Sequence, residues 1–140
     1  MTAIELRRLR ARGEFLFVRD GCKAANVSVL VEARRRTPSG PIGLGFTASR
    51  KVGGAVQRNR ARRRLKEAAR RLLPAQGLPG VDYVLVARQS TPDAPWGALL
   101  DDLQNALIRV RASLEGAESQ RPIRRPRQGA KRPDRSPGSN

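Results

Sequence analysis

The chain has 140 residues, one cysteine (Cys22), no histidine and a formal charge of +17, with a pI near 11.8. That length fits one domain; the lone cysteine excludes an internal disulfide and a cysteine-built zinc site, and the lack of histidine removes the commonest general base and metal ligand. Arginine outnumbers lysine 25 to 4, and a guanidinium stays charged, forks onto phosphate and stacks on bases, so the expected partner is a polyanion, nucleic acid before a membrane surface.

Residues 1–12 scatter Arg7, Arg8, Arg10 and Arg12 among Ile4, Leu6 and Leu9, a basic turn or arm without a clear element. Residues 13–20 hold Phe15 and Phe17 in an apolar run before Gly21. Such a run is too short for periodicity to separate helix from strand. Gly21 suits the position after a helix end, so a short helix is the working assignment. Two phenylalanines in a small domain are in the first place core. Residues 26–34 alternate Val27, Val29 and Val31 with Ser28, Leu30 and Glu32, the pattern of a strand. Thr37 to Pro41 is a loop by composition, and residues 42–49 form a second strand, so an antiparallel hairpin is expected. Gly43 and Gly45 leave one face of that strand bare, which marks a bulge or the close approach of another backbone.

Gly53-Gly54 breaks the pattern before a long helix over about 55–73. Residues 50–71 carry ten cationic side chains and one acid, Glu67. In helical projection Ala61, Leu65, Ala68 and Leu72 form one stripe with Ala69 at its border. The opposite side carries Asn59, Arg60, Arg63, Arg64, Lys66, Glu67, Arg70 and Arg71. A merely solvated face usually mixes signs in i,i+4 pairs; this one does so only through Glu67, which favours contact with RNA or DNA. Arg58 falls on the apolar side, one turn before the core contacts begin, and is expected to project past the core over the sheet's edge. Arg62 lies at the border. Pro74 is expected to end the helix.

Val81 to Arg88 is a third strand, continuously apolar and hence central. Asp93 is a candidate N-cap with Pro95 in the first turn. A last helix over about 94–114 repeats Trp96, Leu99, Leu100, Leu103, Leu107, Val110 and Leu114 at three and four residues, and Gly116 is expected to stop it. Residues 116–140 hold seven Lys/Arg, two acids and four prolines with almost no apolar groups, the composition of a disordered basic tail. The expected organisation is one α+β domain over 1–115, a small sheet covered by helices, followed by the tail. No apolar run approaches the ~20 residues of a transmembrane helix, and the first residues lack the apolar core of a signal peptide. With the single cysteine, this fits a cytoplasmic protein.

Protein-based catalysis has little to work with. Asp101 and Asp102 are neighbours on a predicted helix and point about 100° apart, too far to share one metal. Asp20, Glu32, Asp82 and Asp93 are scattered, and no phosphate-cradling glycine motif occurs. No catalytic site of the chain's own is expected. Binding is better supplied: fixed donors on a helix for phosphates, and Phe15 and Phe17 as surfaces on which unpaired bases stack.

The stretch from Ile42 to Glu67 resembles the signature of the bacterial ribonuclease P protein component: a Gly-x-Gly strand, a Lys-x-Gly-x-Ala-Val turn, then the Arg58-Asn59-Arg60 box. The element order and the spacing to Val81–Arg88 match as well, and the likeness covers about residues 12–112. The resemblance implies a fold like domain 2 of ribosomal protein S5: an α+β sandwich with a four-stranded mixed sheet and a left-handed β-α-β crossover through the basic helix, against the usual hand. It implies the small protein subunit of a tRNA-processing endoribonuclease that removes the 5′ leader of precursor tRNA. In that family the catalytic RNA subunit performs the cleavage with Mg²⁺, and the protein supplies no catalytic residues. It assigns contact with the RNA subunit to Arg58, Asn59, Arg60, Arg62, Arg63 and Lys66. It assigns the leader to a cleft lined by Phe15, Phe17, Thr47, Arg50 and Lys51. The family often has an aromatic residue on its first long strand, where Glu32 or its neighbours stand here. Neither a membrane nor a stable DNA partner is implied. The alternative is a ribosomal or ribosome-assembly RNA-binding protein of S5-like fold.

Overall fold

The computed structural model describes residues 5–120, with side chains as far as Gly116. In chain order it contains β1 (Leu6–Arg8), α1 (Arg12–Arg19), β2 (Cys22–Ala25), β3 (Val29–Arg35), β4 (Ile42–Thr47), a 3-10 turn (Arg50–Val52), α2 (Ala55–Gln76), β5 (Val81–Ala87) and α3 (Trp96–Gln120). The five strands form one mixed sheet in the order β1-β4-β5-β3-β2.

β5 is the centre of that sheet, as its continuous apolar sequence predicts. It runs antiparallel to β3, Leu30 opposite Val86 and Arg34 opposite Asp82, and parallel to β4, Gly45 beside Val84. The expected hairpin between β3 and β4 is therefore not formed. The two strands run in opposite directions, but β5 takes the place between them and satisfies the inner edges of both. The sheet also has five strands where four were expected. The extra one is β1, three residues paired in parallel with β4 at the edge, in the stretch whose sequence suggests only a basic turn or arm.

One face of the sheet carries the main core. Ile42 and Leu44 of β4, Tyr83 and Leu85 of β5, and Val29 and Val31 of β3 pack against Leu65 and Leu73 of α2 and Leu99, Leu103 and Leu107 of α3. Each large side chain buried there contributes about 1.5–3 kcal/mol of transfer free energy. Ala61, Ala68 and Ala69 of α2 are fully buried, so the small-residue stripe brings the helix close to the sheet. The hydroxyl of fully buried Tyr83 accepts a hydrogen bond from the Leu78 amide at 2.9 Å, and burial pushes its pKa up.

α2 does not stop at Pro74 but continues to Gln76. Leu73, fully buried, anchors the last turn, and the Gly77 amide closes it on the Leu73 carbonyl at 2.7 Å. A Cβ at Gly77 would lie 2.8 Å from the Leu73 carbonyl oxygen, a backbone atom that cannot move aside, so the chain leaves the helix where glycine is needed. α3 starts at Trp96, later than expected, and passes through Gly116 to Gln120. Residues 121–140, most of the expected tail, lie outside the described residues.

The opposite face carries α1 and a much smaller core: Leu9, Val18 and Val84, with Phe15, Phe17 and Val86 at its rim. Glu14 holds the start of α1 by accepting hydrogen bonds from the Arg10 and Ala11 amides at 2.7 and 3.0 Å. Those bonds keep its carboxyl below the usual glutamate range. Gly21 follows the helix as expected, but its reason is steric rather than conformational. Its Cβ would meet the Ala33 carbonyl oxygen at 2.2 Å.

Candidate nucleic-acid interface

The connection from β4 to β5 runs through the 3-10 turn and α2, so two parallel neighbouring strands are joined by the basic helix. This places two cationic surfaces around one end of the sheet. The first is the outward side of α2. Asn59, Arg60, Arg63 and Lys66 are exposed, while Arg58 and Arg62 are half-buried. The side chains of Arg63 and Lys66 make no hydrogen bond or ion pair among the described residues. Their charges stand on a helix whose other side is fully buried, so the donors are held at fixed spacing.

The other cations of α2 have work inside the protein. Arg58 folds back and donates to the Gly53 carbonyl at 3.2 Å. That places it on the turn before α2 rather than over the sheet's edge. Arg62 donates to Asn59 Oδ1 at 3.0 Å. Arg60 donates through Nε to the Pro92 carbonyl at 2.6 Å, which leaves the far end of its fork outside that bond. Arg64, expected on the outward side, is half-buried. It donates to the carbonyls of Thr91 and Ala94 at 2.6 and 2.5 Å and lies 5.8 Å from the Trp96 ring centre. Burial lowers its pKa. Sequence offered one signal for this clamp: the loop before Trp96 contains Pro92 and Pro95, which lack N–H groups and leave carbonyls in want of donors.

The second surface lies on the α1 side of the sheet. Gly43, Gly45 and Thr47 of β4 face α1, and the two glycines are bare because other groups occupy their space. A Cβ at Gly45 would fall 2.6 Å from the Phe15 ring, and one at Gly43 would fall 1.9 Å from the Asp82 carboxylate. Phe15 thus lies on the β4 backbone, on the same face as half-buried Thr47 and Val86. Arg50 and Lys51 are exposed just past the end of β4. Next to them a groove of about 400 Å³ is lined by Ser49, Lys51, Val86 and Arg88. Phe17 is not brought into this group. On a helix it points about 200° from Phe15, and its ring lies 4.2 Å beneath the Arg34 guanidinium on the β3 side.

Glu32 also faces the α1 side, opposite Lys23 of β2. Its side chain is 12% exposed and lies 3.6 Å from Lys23 Nζ. The acid is therefore counter-charged and mostly covered. Asp82, 3% exposed, is paired with Arg7 and Arg36, and Arg7 also pairs with Glu14. Burial raises the Asp82 pKa by more than the two guanidiniums lower it. Asp102 accepts from the Ser28 amide and hydroxyl at 3.0 and 2.7 Å, tying α3 to the start of β3. Among the described residues no three His, Cys, Asp or Glu side chains are grouped to hold a metal ion.

The family described as Ribonuclease P matches residues 5–111, from β1 into α3. The chain belongs to the ribonuclease P protein family. The ribonuclease P protein component of Caulobacter vibrioides is 44% identical over 113 residues, covering 80% of this chain and 76% of the relative. That of Ruegeria pomeroyi is 49% identical over 107 residues, covering 74% and 86%. Among solved structures, the RNase P protein from Thermotoga maritima superposes with a TM-score of 0.63 at 28% identity, over 74% of this chain and 96% of that one. The Staphylococcus aureus RNase P protein, at 23% identity and a TM-score of 0.63, shares the fold. The ribonuclease P family match thus begins at β1, earlier than the resemblance seen in the sequence. No helix among the described residues is long and apolar enough to cross a membrane.

Proposed function

We propose that this chain is the protein subunit of ribonuclease P, binding the catalytic RNA subunit with the outward side of α2 and the 5′ leader of precursor tRNA along the α1 side of the sheet. The observation that carries it is the division of labour on α2: a fully buried alanine and leucine stripe, and on the other side Arg63 and Lys66, whose side chains have no partner among the described residues. Asn59, Arg60, Arg58 and Arg62 complete that surface. Arg58 and Arg60 also fix the turn and the loop on either side of it. Phe15, Thr47, Arg50 and Lys51 form the leader surface. Phe17, held by Arg34, supports α1 from behind.

In this reading the RNA subunit carries out the Mg²⁺-dependent cleavage, and no side chain of this chain touches the scissile phosphate. Its cations reduce phosphate repulsion between enzyme RNA and substrate RNA. The setting is the cytoplasm. Cleavage of precursor tRNA by the RNA subunit, with and without the protein, is followed across a Mg²⁺ titration. The protein should lower the Mg²⁺ needed for leader removal; an unchanged Mg²⁺ requirement refutes the proposal. Arg63→Ala with Lys66→Ala should weaken RNA-subunit binding and reduce the salt slope by about 2, at ~0.9 per phosphate contact. RNA crosslinked to the protein in cells should be the RNA subunit and precursor tRNA; recovery of ribosomal RNA alone would favour the ribosome-assembly alternative.

A further inference from the structure

On the face of the sheet that carries α2, at the β1 edge, there is a second concavity, of about 250 Å³. It is separate from the leader surface because Leu44 and Phe46 point to the α2 side of β4, whereas Gly45 and Thr47 point to the α1 side. β1 makes its outer wall: Leu6 stands beside Ile42 and Arg8 beside Leu44. The floor is apolar, formed by Leu6, Leu44 and Phe46, and the rim carries Arg8, Lys66 and Arg70.

Three observations point to the occupant. Leu6 is 41% exposed and Phe46 is only partly buried, so apolar and aromatic surface is left uncovered among the described residues. The lining contains four cationic residues and no acid; Arg7 is engaged with Glu14 and Asp82 on the other face, Arg8 and Lys66 have no partner among the described residues, and Arg70 shares the nearby Glu67 with Arg71. The volume is below the ~300–1,000 Å³ of pockets for drug-sized ligands, the scale of one flat ring system. An aromatic floor with a cationic rim suits a nucleobase lying on Phe46 with its flanking phosphates on Arg8, Lys66 and Arg70. Lys66 and Arg70 project from α2, so the pocket is continuous with the surface assigned to the RNA subunit.

We infer that this β1–α2 pocket takes one unpaired, extruded nucleobase of the catalytic RNA subunit. The inference rests on the reading of α2 as the RNA-subunit surface, and Arg63→Ala, outside the pocket, serves to test that reading separately.

The test uses the full chain and the RNA subunit, with dissociation constants measured over a range of salt concentrations. Phe46→Leu keeps an apolar group of similar volume but removes the aromatic plane. It should weaken binding by about tenfold, the scale of one lost base stack, with the salt slope unchanged. Phe46→Tyr should restore binding. Leu6→Glu, at the exposed edge, should weaken binding at least as much, and it serves if Phe46→Leu unfolds the protein. Arg63→Ala should weaken binding and lower the salt slope by about 1. If Arg63→Ala acts while Phe46→Leu and Leu6→Glu stay within twofold, the pocket assignment is overturned and the α2 surface stands. If Arg63→Ala is also without effect, the RNA-subunit reading itself fails. Loss of affinity for precursor tRNA alone would assign the pocket to substrate and overturn the assignment to the RNA subunit. A fall in thermal stability with unchanged RNA affinity would mean that protein covers the pocket, and it too overturns the inference.

Discussion

The two faces of the sheet are built from the same strands and serve different ends. Towards α2 and α3, β5 sends Val81, Tyr83, Leu85 and Ala87 into a continuous core. Towards α1 it sends Asp82, Val84 and Val86, of which only Val84 joins a buried cluster, with Leu9 and Val18. The first face holds the fold together. The second is thinly packed, charged at one end and open at the other, which is the condition a binding surface needs. A central strand apolar at nearly every position allows this, because it can be covered on both faces to different depths.

Cavities separate the two faces most directly. Leu65→Ala, on α2, should cost about 2–5 kcal/mol in urea denaturation. Leu9→Ala, on the α1 side, should cost no more than the low end of that range, since its cluster is small and borders open space. Equal losses would mean that the α1 side is as much a core as the other. Next in size is Tyr83→Phe. It leaves the Leu78 amide without its acceptor and should cost about 1–3 kcal/mol, read from the same unfolding curves. Gly45→Ala should cost a similar ~1–3 kcal/mol by overpacking, but its sharper readout is function. The new Cβ would displace Phe15, so affinity for the leader should fall while affinity for the RNA subunit is kept.

The smallest effect is electrostatic and depends on pH. The Glu14 pKa is lowered in the fold, so its contribution is present above the ordinary 4.5 and is lost as pH falls through its folded value. Asp82 is raised and acts in the opposite sense: it favours the fold in acid, and that contribution fades as pH rises through its folded value. Melting temperatures of the protein and of Glu14→Gln should therefore differ near neutral pH and converge in acid. A constant gap across pH would show that the cap does not act through its charge.

Long periodic segments were legible in the sequence. α2, α3 and β5 follow from the spacing of their apolar residues, and the bare face of β4 was marked by Gly43 and Gly45. β1 and β2 were not legible, because three or four residues carry too little alternation to register. The hairpin of β3 with β4 that their closeness in sequence suggests is not formed, because the strand that separates them begins only at Val81, past the whole of α2, and local sequence holds no record of it. Pro74 and Gly116 are weak stops once a helix is held by packing such as that of Leu73. Of the proposed interface, the outward charges Arg63 and Lys66 are legible by helical projection. The inward duties of Arg58, Arg60 and Arg64 are not, since they depend on carbonyls brought near by the fold.

The late position of β5 has a consequence for the nascent chain. Until residue 87 has been synthesised, β3 has only β2 beside it and β4 only the three residues of β1. Two-stranded pieces of this kind are marginal in water, and closing the loop between β4 and β5 must precede any gain from the central pairing. α2, with most of the cationic run, leaves the ribosome before its buried stripe has a sheet to rest on. For that interval the growing chain is a polybasic segment without a tertiary structure, next to a large excess of ribosomal RNA.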